Sequence, residues 1–265
     1  MLVPKRAAER ITKGLRKYRS IMESAKARDV SEADTVTIVK DILNDVFGFD
    51  KYSEVTGEFE IRGTYCDLAI RIDGKVQRLI EVKAIDLDLK ESHKKQIVGY
   101  GAQQGIEWII LTNGINWRVY QLLFQKPIKT ELVFEINLLE MNPKKEDDLE
   151  MLYLLTRESV AKRTLKAYKE RQEAVNRYVI AGLLVHDDDV VKAIRRELKR
   201  LSNVSVELDE LRVLLREEVI KRDALEGEKA KSTERKISRA ANKKLRKRKK
   251  KTSQSTAPAK SGSSS

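Results

Sequence analysis

Asp67 and, fourteen residues later, Glu81-Val82-Lys83 supply the residue types of metal-assisted phosphodiester hydrolysis within one hairpin. A carboxylate on one strand and a Glu-x-Lys on the next can hold a divalent cation and set an ammonium beside it. Glu81 and Lys83 stand two apart on an apolar strand, so they project from the same face. On the first strand Cys66, Leu68, Ile70 and Ile72 form an apolar face, leaving Asp67, Ala69 and Arg71 on the other; Val76, Ile80 and Val82 repeat the apolar face on the second. Asp73-Gly74 marks the turn. A two-residue loop there would set Asp67 opposite Ile80 and mix the faces, because a one-residue slip reverses them. The pattern therefore predicts an odd loop, Ile72-Asp73-Gly74, with Gly74 left-handed, a bulge, and Arg71 opposite Lys75. That register returns Asp67, Glu81 and Lys83 to one face. Such a short motif also arises by chance on the wet face of a hairpin, so the case for chemistry rests on the surrounding elements.

Upstream, Ser31 reads as an N-cap, with Glu32 and Asp34 in the first turn of a helix whose stripe is Val36, Val39, Leu43, Val46 and Phe47, with Ile42 at its edge. Gly48 ends it. Glu54, Glu58 and Glu60 share one face of the strand that follows and read as solvent-exposed. Downstream, residues 90–104 read as a helix on which Gln96 and Tyr100 share a face. A strand follows at 108–112, then the turn Asn113-Gly114, then a strand from Ile115 to Leu123. Helix, two or three strands, helix, strand, strand folds naturally as an α/β domain, a mixed sheet flanked by helices.

That order, with those residues in those places, strongly resembles the PD-(D/E)xK nuclease superfamily, and residues 29–140 resemble the N-terminal nuclease domain of type I restriction enzyme R subunits. Glu32 matches the family's acid on the first helix, Asp67 its metal-binding aspartate, Glu81 and Lys83 its Glu-x-Lys, and Gln96 and Tyr100 its Gln-x-x-x-Tyr element. The stretch Gly105-Ile106-Glu107-Trp108-Ile109-Ile110-Leu111-Thr112-Asn113-Gly114 is also typical of that domain. The resemblance implies a restriction-endonuclease-like fold and a Mg²⁺- or Mn²⁺-dependent DNA endonuclease acting in restriction or defence. Asp67, Glu81 and the Val82 carbonyl would hold the metal through hard oxygen ligands. Lys83 would position or activate water and share in stabilising charge. Glu32 would bind a second metal or orient water, and Gln96 and Tyr100 would aim Lys83 or a phosphate. Two departures stand out. Cys66 occupies the place of the usual proline, and no Gly-x-x-x-x-Gly-Lys-[Ser/Thr] is present, so neither an ATP site nor the translocase motor of a complete R subunit is expected.

Other chemistries fit poorly. Cys66 is the single cysteine and falls on the apolar face of its strand, where a buried thiol is expected. With only His93 and His186, no zinc site of standard His/Cys spacing can be assembled. Asp187-Asp188-Asp189 reads as the capped start of a helix. No apolar run approaches a membrane span and residues 1–20 lack a signal-peptide core, which implies a cytoplasmic protein.

The net charge of +13 is concentrated at the C-terminus: residues 229–265 carry all of it, while residues 1–228 sum to zero. Within the latter, residues 1–28 carry +7 and residues 29–142 carry −6. Phosphate neutralisation supplies most non-specific DNA affinity, so an acidic core needs basic grips. The basic N-terminal helix and the C-terminal tail are the natural grips, with Lys94 and Lys95 beside the site and Lys243, Lys244, Arg246, Lys247, Arg248, Lys249, Lys250 and Lys251 in the tail as the named candidates.

Four regions are expected: a basic N-terminal helix at 1–28, the nuclease domain at 29–142, a helical region at 143–228 and a disordered basic tail at 229–265. In the helical region one long helix is expected from about Ser159 towards Leu184, with others over 189–201 and 206–225. That region would brace the nuclease domain, bind a protein partner or form a homo-oligomer. Two alternatives to an endonuclease stay open, a non-catalytic DNA-binding module on a nuclease fold and a scaffold whose helical half binds a partner; RNA also stays open as substrate.

Overall fold

Six strands in simple chain order organise the first compact unit, Met1–Lys169. They are β1 (Val55–Ile61), β2 (Thr64–Ile72), β3 (Lys75–Val82), β4 (Trp108–Thr112), β5 (Asn116–Leu123) and β6 (Lys129–Asn137). The structure is a computed structural model that describes residues 2–61 and 63–255, with the side chains of residues 61, 64 and 244–255 outside the description. β3 and β4 run parallel and every other neighbouring pair is antiparallel, so the sheet is mixed. A parallel pair requires a crossover, which α3 (Glu91–Gln104) supplies.

Both faces of the sheet are covered. On one lie α1 (Lys5–Ala27) and α2 (Glu32–Asp45). Ala7, Ile11, Leu15, Tyr18, Met22 and Ala25 recur at helical spacing along α1 and are buried in the same core as Val39, Leu43, Leu68, Ile70, Ile80 and Val82. The basic N-terminal helix is thus part of this core. A Cβ on Gly14 would lie 2.9 Å from Val46 Cγ2, so glycine permits the close approach of α1 to the end of α2. Arg10 fastens the same junction, donating to Val46 O, to Phe47 O and through two nitrogens to Glu158. The other face packs Ala69, Leu79, Ile109, Leu111 and Leu122 with Ile97 of α3.

Several expectations change here. The turn at Asp73-Gly74 has two residues, with φ of 51° and 74°, and Ile72 pairs with Lys75. Two left-handed residues match the twist of the flanking strands, which a longer loop would not need to do. The extra residue sits further in: Ile70 pairs with Arg78 and Arg71 with Val76, so Gln77 has no partner and forms a bulge. Leu68 then lies opposite Ile80, the register that keeps Asp67 off the core. Cys66 packs with Ala69 and Leu79 rather than with Leu68. A sixth strand, β6, extends the sheet beyond the anticipated elements. Glu54 is buried, because Arg157 reaches it at 2.7 Å.

After β6 come α4 (Glu146–Tyr153), α5 (Arg157–Ala161) and α6 (Thr164–Ala174), the last straddling the boundary between the compact units. The single long helix expected from Ser159 is instead broken, at Arg163 in a left-handed conformation and at Asn176, which caps α7 (Arg177–His186). The second unit, Glu170–Ser265, continues with α8 (Asp188–Ser202), α9 (Leu208–Leu214), a π-helical turn at Leu215–Val219 and a short 3₁₀ turn, so the helix expected over 206–225 is also interrupted. Asp187 caps α8 by accepting from Asp189 N and Val190 N. Val191, Leu211 and Leu215 form a small core. α10 (Gly227–Ser255) carries the first part of the basic segment: it buries Thr233 and Ile237, and a Cβ on Gly182 of α7 would meet both. Lys, Arg and Ala are good helix formers, and an apolar anchor on α7 starts the helix that the charge alone would oppose. Residues 256–265 of the anticipated tail lie outside the described residues.

Candidate active site

β2 and β3 present Asp67, Glu81 and Lys83 together because the Gln77 bulge restores the parity that the two-residue turn would break. Leu79, Glu81 and Lys83 alternate with Ile80 and Val82, and Leu79 lies in the core under α3. The motif therefore faces a covered side of the sheet rather than a wet one. Glu81 is 1% exposed and Lys83 14%. Two backbone bonds fix the site's floor: Asp67 Oδ2 accepts from Val82 N at 2.7 Å, and Lys83 N donates to Thr112 O at 2.8 Å.

Lys83 Nζ donates to Glu81 Oε1 at 2.9 Å and to Glu32 Oε1 at 3.4 Å. Glu32 reaches it from the first turn of α2, whose start is set by Ser31 Oγ accepting from Asp34 N. The second oxygen of Glu81, Oε2, is buried and has no hydrogen-bond partner. Burial, and then the Asp67 charge, push the Glu81 carboxyl up to about 7 despite the opposing Lys83 ammonium. Burial also raises Asp67, against the Val82 N–H and Lys83, which pull it down. For Lys83, burial acts to lower the ammonium, but the bond to Glu81 and the charges of Glu81, Glu32 and Asp67 prevail and hold it above its ordinary value. Lys83 is a protonated lysine in a ring of three acids.

Gln96 and Tyr100 are joined to each other on α3, Nε2 donating to the hydroxyl at 3.0 Å. Among the described residues neither bonds to Asp67, Glu81 or Lys83. His93, one turn earlier, accepts from Lys90 N at 3.3 Å through Nδ1. Burial and the charges of Lys83 and Lys90 keep its imidazole below the usual range, so it is neutral at neutral pH. Lys94 is engaged by Glu91 and lies 5.5 Å from the Tyr120 ring centroid, whereas Lys95 is exposed. Lys243 is exposed on α10; the side chains of Lys244, Arg246, Lys247, Arg248, Lys249, Lys250 and Lys251 lie outside the described residues.

Asn113 supports the site, although in the sequence it signals no more than a turn. It is buried, donating through Nδ2 to Leu87 O at 2.9 Å and to Ile85 O at 3.3 Å, while its Oδ1 accepts from Asn116 N at 2.7 Å. It thereby ties the segment after Lys83 to the turn after β4. An Asn directly after a mostly apolar, fully covered strand is the signal that could have marked it. Cys66 stays outside the chemistry: burial raises its thiol to about 12, and its Sγ points to Ile80 O at 3.3 Å.

The donors present fit a hard divalent cation. Glu81 Oε2 is an unsatisfied carboxyl oxygen, and Asp67 is close enough for its charge to raise Glu81. Among the described residues no helix is long and apolar enough to cross a membrane. Comparison with known protein families, curated proteins and solved structures returns no match.

Proposed function

We propose that this chain is a Mg²⁺- or Mn²⁺-dependent DNA endonuclease on a restriction-endonuclease-like sheet, with a role in restriction or defence. The observation that carries the reading is the buried, partnerless Glu81 Oε2 on the face shared by Asp67 and Lys83. Burying an unsatisfied carboxylate oxygen costs free energy, and a hard cation is the ligand that would relieve it. Asp67, Glu81 and the Val82 carbonyl would hold such a cation, which supplies charge for the phosphodiester and lowers the pKa of water.

The chain's own residues divide the remaining work. Lys83 keeps its proton, so it acts as a donor, to a non-bridging phosphate oxygen or to the attacking water, rather than as a base. Glu32 holds the Lys83 ammonium from α2 and limits its rotamers. The Val82 N–H pins one Asp67 oxygen and so orients the other. Positive charge for gripping DNA is better supplied by α10 than by α1. Arg10, Lys17 and Arg19 of α1 are already committed to Glu158, Asp45 and the Met141 carbonyl.

The test is incubation of supercoiled plasmid with the full chain and Mg²⁺ or Mn²⁺. Nicked and linear products that disappear with chelator are expected. Protein that binds DNA but leaves it intact across metals and substrates would overturn the reading in favour of a binding module.

A further inference from the structure

A second charged feature lies in the middle of β3, on the opposite face from Glu81 and Lys83. Arg78 is 3% exposed, yet among the described residues no carboxylate pairs with it. Its one hydrogen bond runs from Nη2 to Leu154 O at 3.0 Å, an oxygen that Ser159 Oγ also engages at 3.1 Å. Burial alone drags the guanidinium down to about 9, and it remains cationic at neutral pH. Leaving a cation buried without a counter-charge is expensive, and proteins ordinarily supply a carboxylate or a ligand.

Arg78 lines a pocket of about 280 Å³, together with Arg163, Lys166, Glu107 and Trp108. Three cations face one acid there, which leaves the lining net positive; one oxygen of that acid also accepts from the Gln121 amide. Arg163 and Lys166 are exposed and in no ion pair among the described residues, so they stand at the mouth while Arg78 stands at the back. The volume is too small for a macromolecular surface and suits a small solute. Trp108 adds an aromatic wall.

We propose that this pocket binds a small phosphate-bearing ligand, inorganic phosphate or a nucleoside monophosphate, with Arg78 as the buried anchor and Arg163 and Lys166 as the rim. A guanidinium offers paired N–H donors matched to phosphate oxygens, and the ligand's negative charge supplies what Arg78 lacks. The site does not depend on the nuclease reading.

The experiment is a fluorescence titration of the full chain with inorganic phosphate and, separately, with a nucleoside monophosphate, at ionic strength matched by chloride. Of the two tryptophans Trp117 is fully buried, so the response comes from Trp108. Saturable binding is expected. Equal affinities identify free phosphate as the ligand, and tighter binding of the monophosphate identifies a nucleotide held against Trp108. Arg78→Met should abolish binding, and the exposed Arg163→Ala and Lys166→Ala, which leave the core untouched, should each weaken it about tenfold. In thermal unfolding, ligand at a hundred times Kd should raise Tm by roughly 5–10 °C in the wild type and not in Arg78→Met. No saturable binding by the wild type, or unchanged affinity in both rim variants, overturns the proposal.

Discussion

Glu81→Gln should make the metal-free protein more stable while removing its activity. Glutamine has nearly the same shape and can still accept from Lys83 Nζ, but it carries no charge to bury. In the wild type the carboxyl is lifted from 4.5 to about 7. At 1.36 kcal/mol per tenfold, forcing it to ionise in the folded protein costs about 3 kcal/mol. The Lys83 attraction is already contained in that value, so a net gain of about 2–3 kcal/mol is expected for the variant at pH 8. The sign follows from proton counts. Between pH 4.5 and about 7 the folded state holds a proton that the unfolded state has released, so wild-type stability falls as pH rises through this window, and the loss is complete above about 7. Glutamine removes that fall. Denaturant melts at pH 5 and pH 8 without metal should show the two proteins nearly equal at pH 5 and the variant more stable at pH 8, with Tm higher by about 4–8 °C. Adding Mg²⁺ should then stabilise the wild type and leave the variant unmoved. A variant that is less stable at pH 8, or one that keeps the wild-type pH slope, refutes the claim that Glu81 is an unsatisfied buried acid.

Three further perturbations have definite outcomes. Arg10→Ala removes a bidentate pair with Glu158 and two carbonyl hydrogen bonds, and chemical denaturation should register a loss of about 2–3 kcal/mol. Gly101→Val should cost about 1–3 kcal/mol, because a Cβ there already meets Leu122 Cδ2 at 2.9 Å and Ile106 O at 3.1 Å; hydrogen exchange in α3 should quicken. A chain ending at Lys243 keeps the buried Thr233 and Ile237 and removes only the basic end, so it should bind DNA more weakly and melt as before. Its salt dependence should also flatten, by about 0.9 in log-log slope for each phosphate that is no longer neutralised. Unchanged affinity and slope would place the grip elsewhere.

What the sequence could reveal depended on whether periodicity or long-range packing decided the feature. Alternation showed that Asp67, Glu81 and Lys83 belong on one face, and the Ser31 cap and Asn113-Gly114 turn were equally local and equally readable. Parity alone cannot say where an extra residue sits. The anticipated three-residue loop and the observed bulge at Gln77 both restore the register, and the choice between them rests on Asp73 and Gly74 both adopting positive φ. Arg78 was legible in hindsight: it alternates with Ile80 and Val82, so a charged residue had to enter the core. Glu54 was not, because its burial comes from Arg157, more than a hundred residues away. The helical half was harder still. Its charges interleave with its apolar residues, and its breaks depend on a left-handed Arg163 and on α10 finding α7.

The most direct test of the proposed chemistry is the single-turnover cleavage rate of Lys83→Ala at Mn²⁺ concentrations that saturate it, set beside the wild type. Asp67 and Glu81 remain in this variant, so metal should still bind, and a thermal melt checks that the fold persists once the ammonium bonded to buried Glu81 is gone. Metal-loaded protein is expected whose cleavage of DNA has fallen by at least about a hundredfold, the scale of a missing general-acid or electrostatic contribution. Wild-type cleavage rates in Lys83→Ala, with metal bound, would contradict the proposed chemistry.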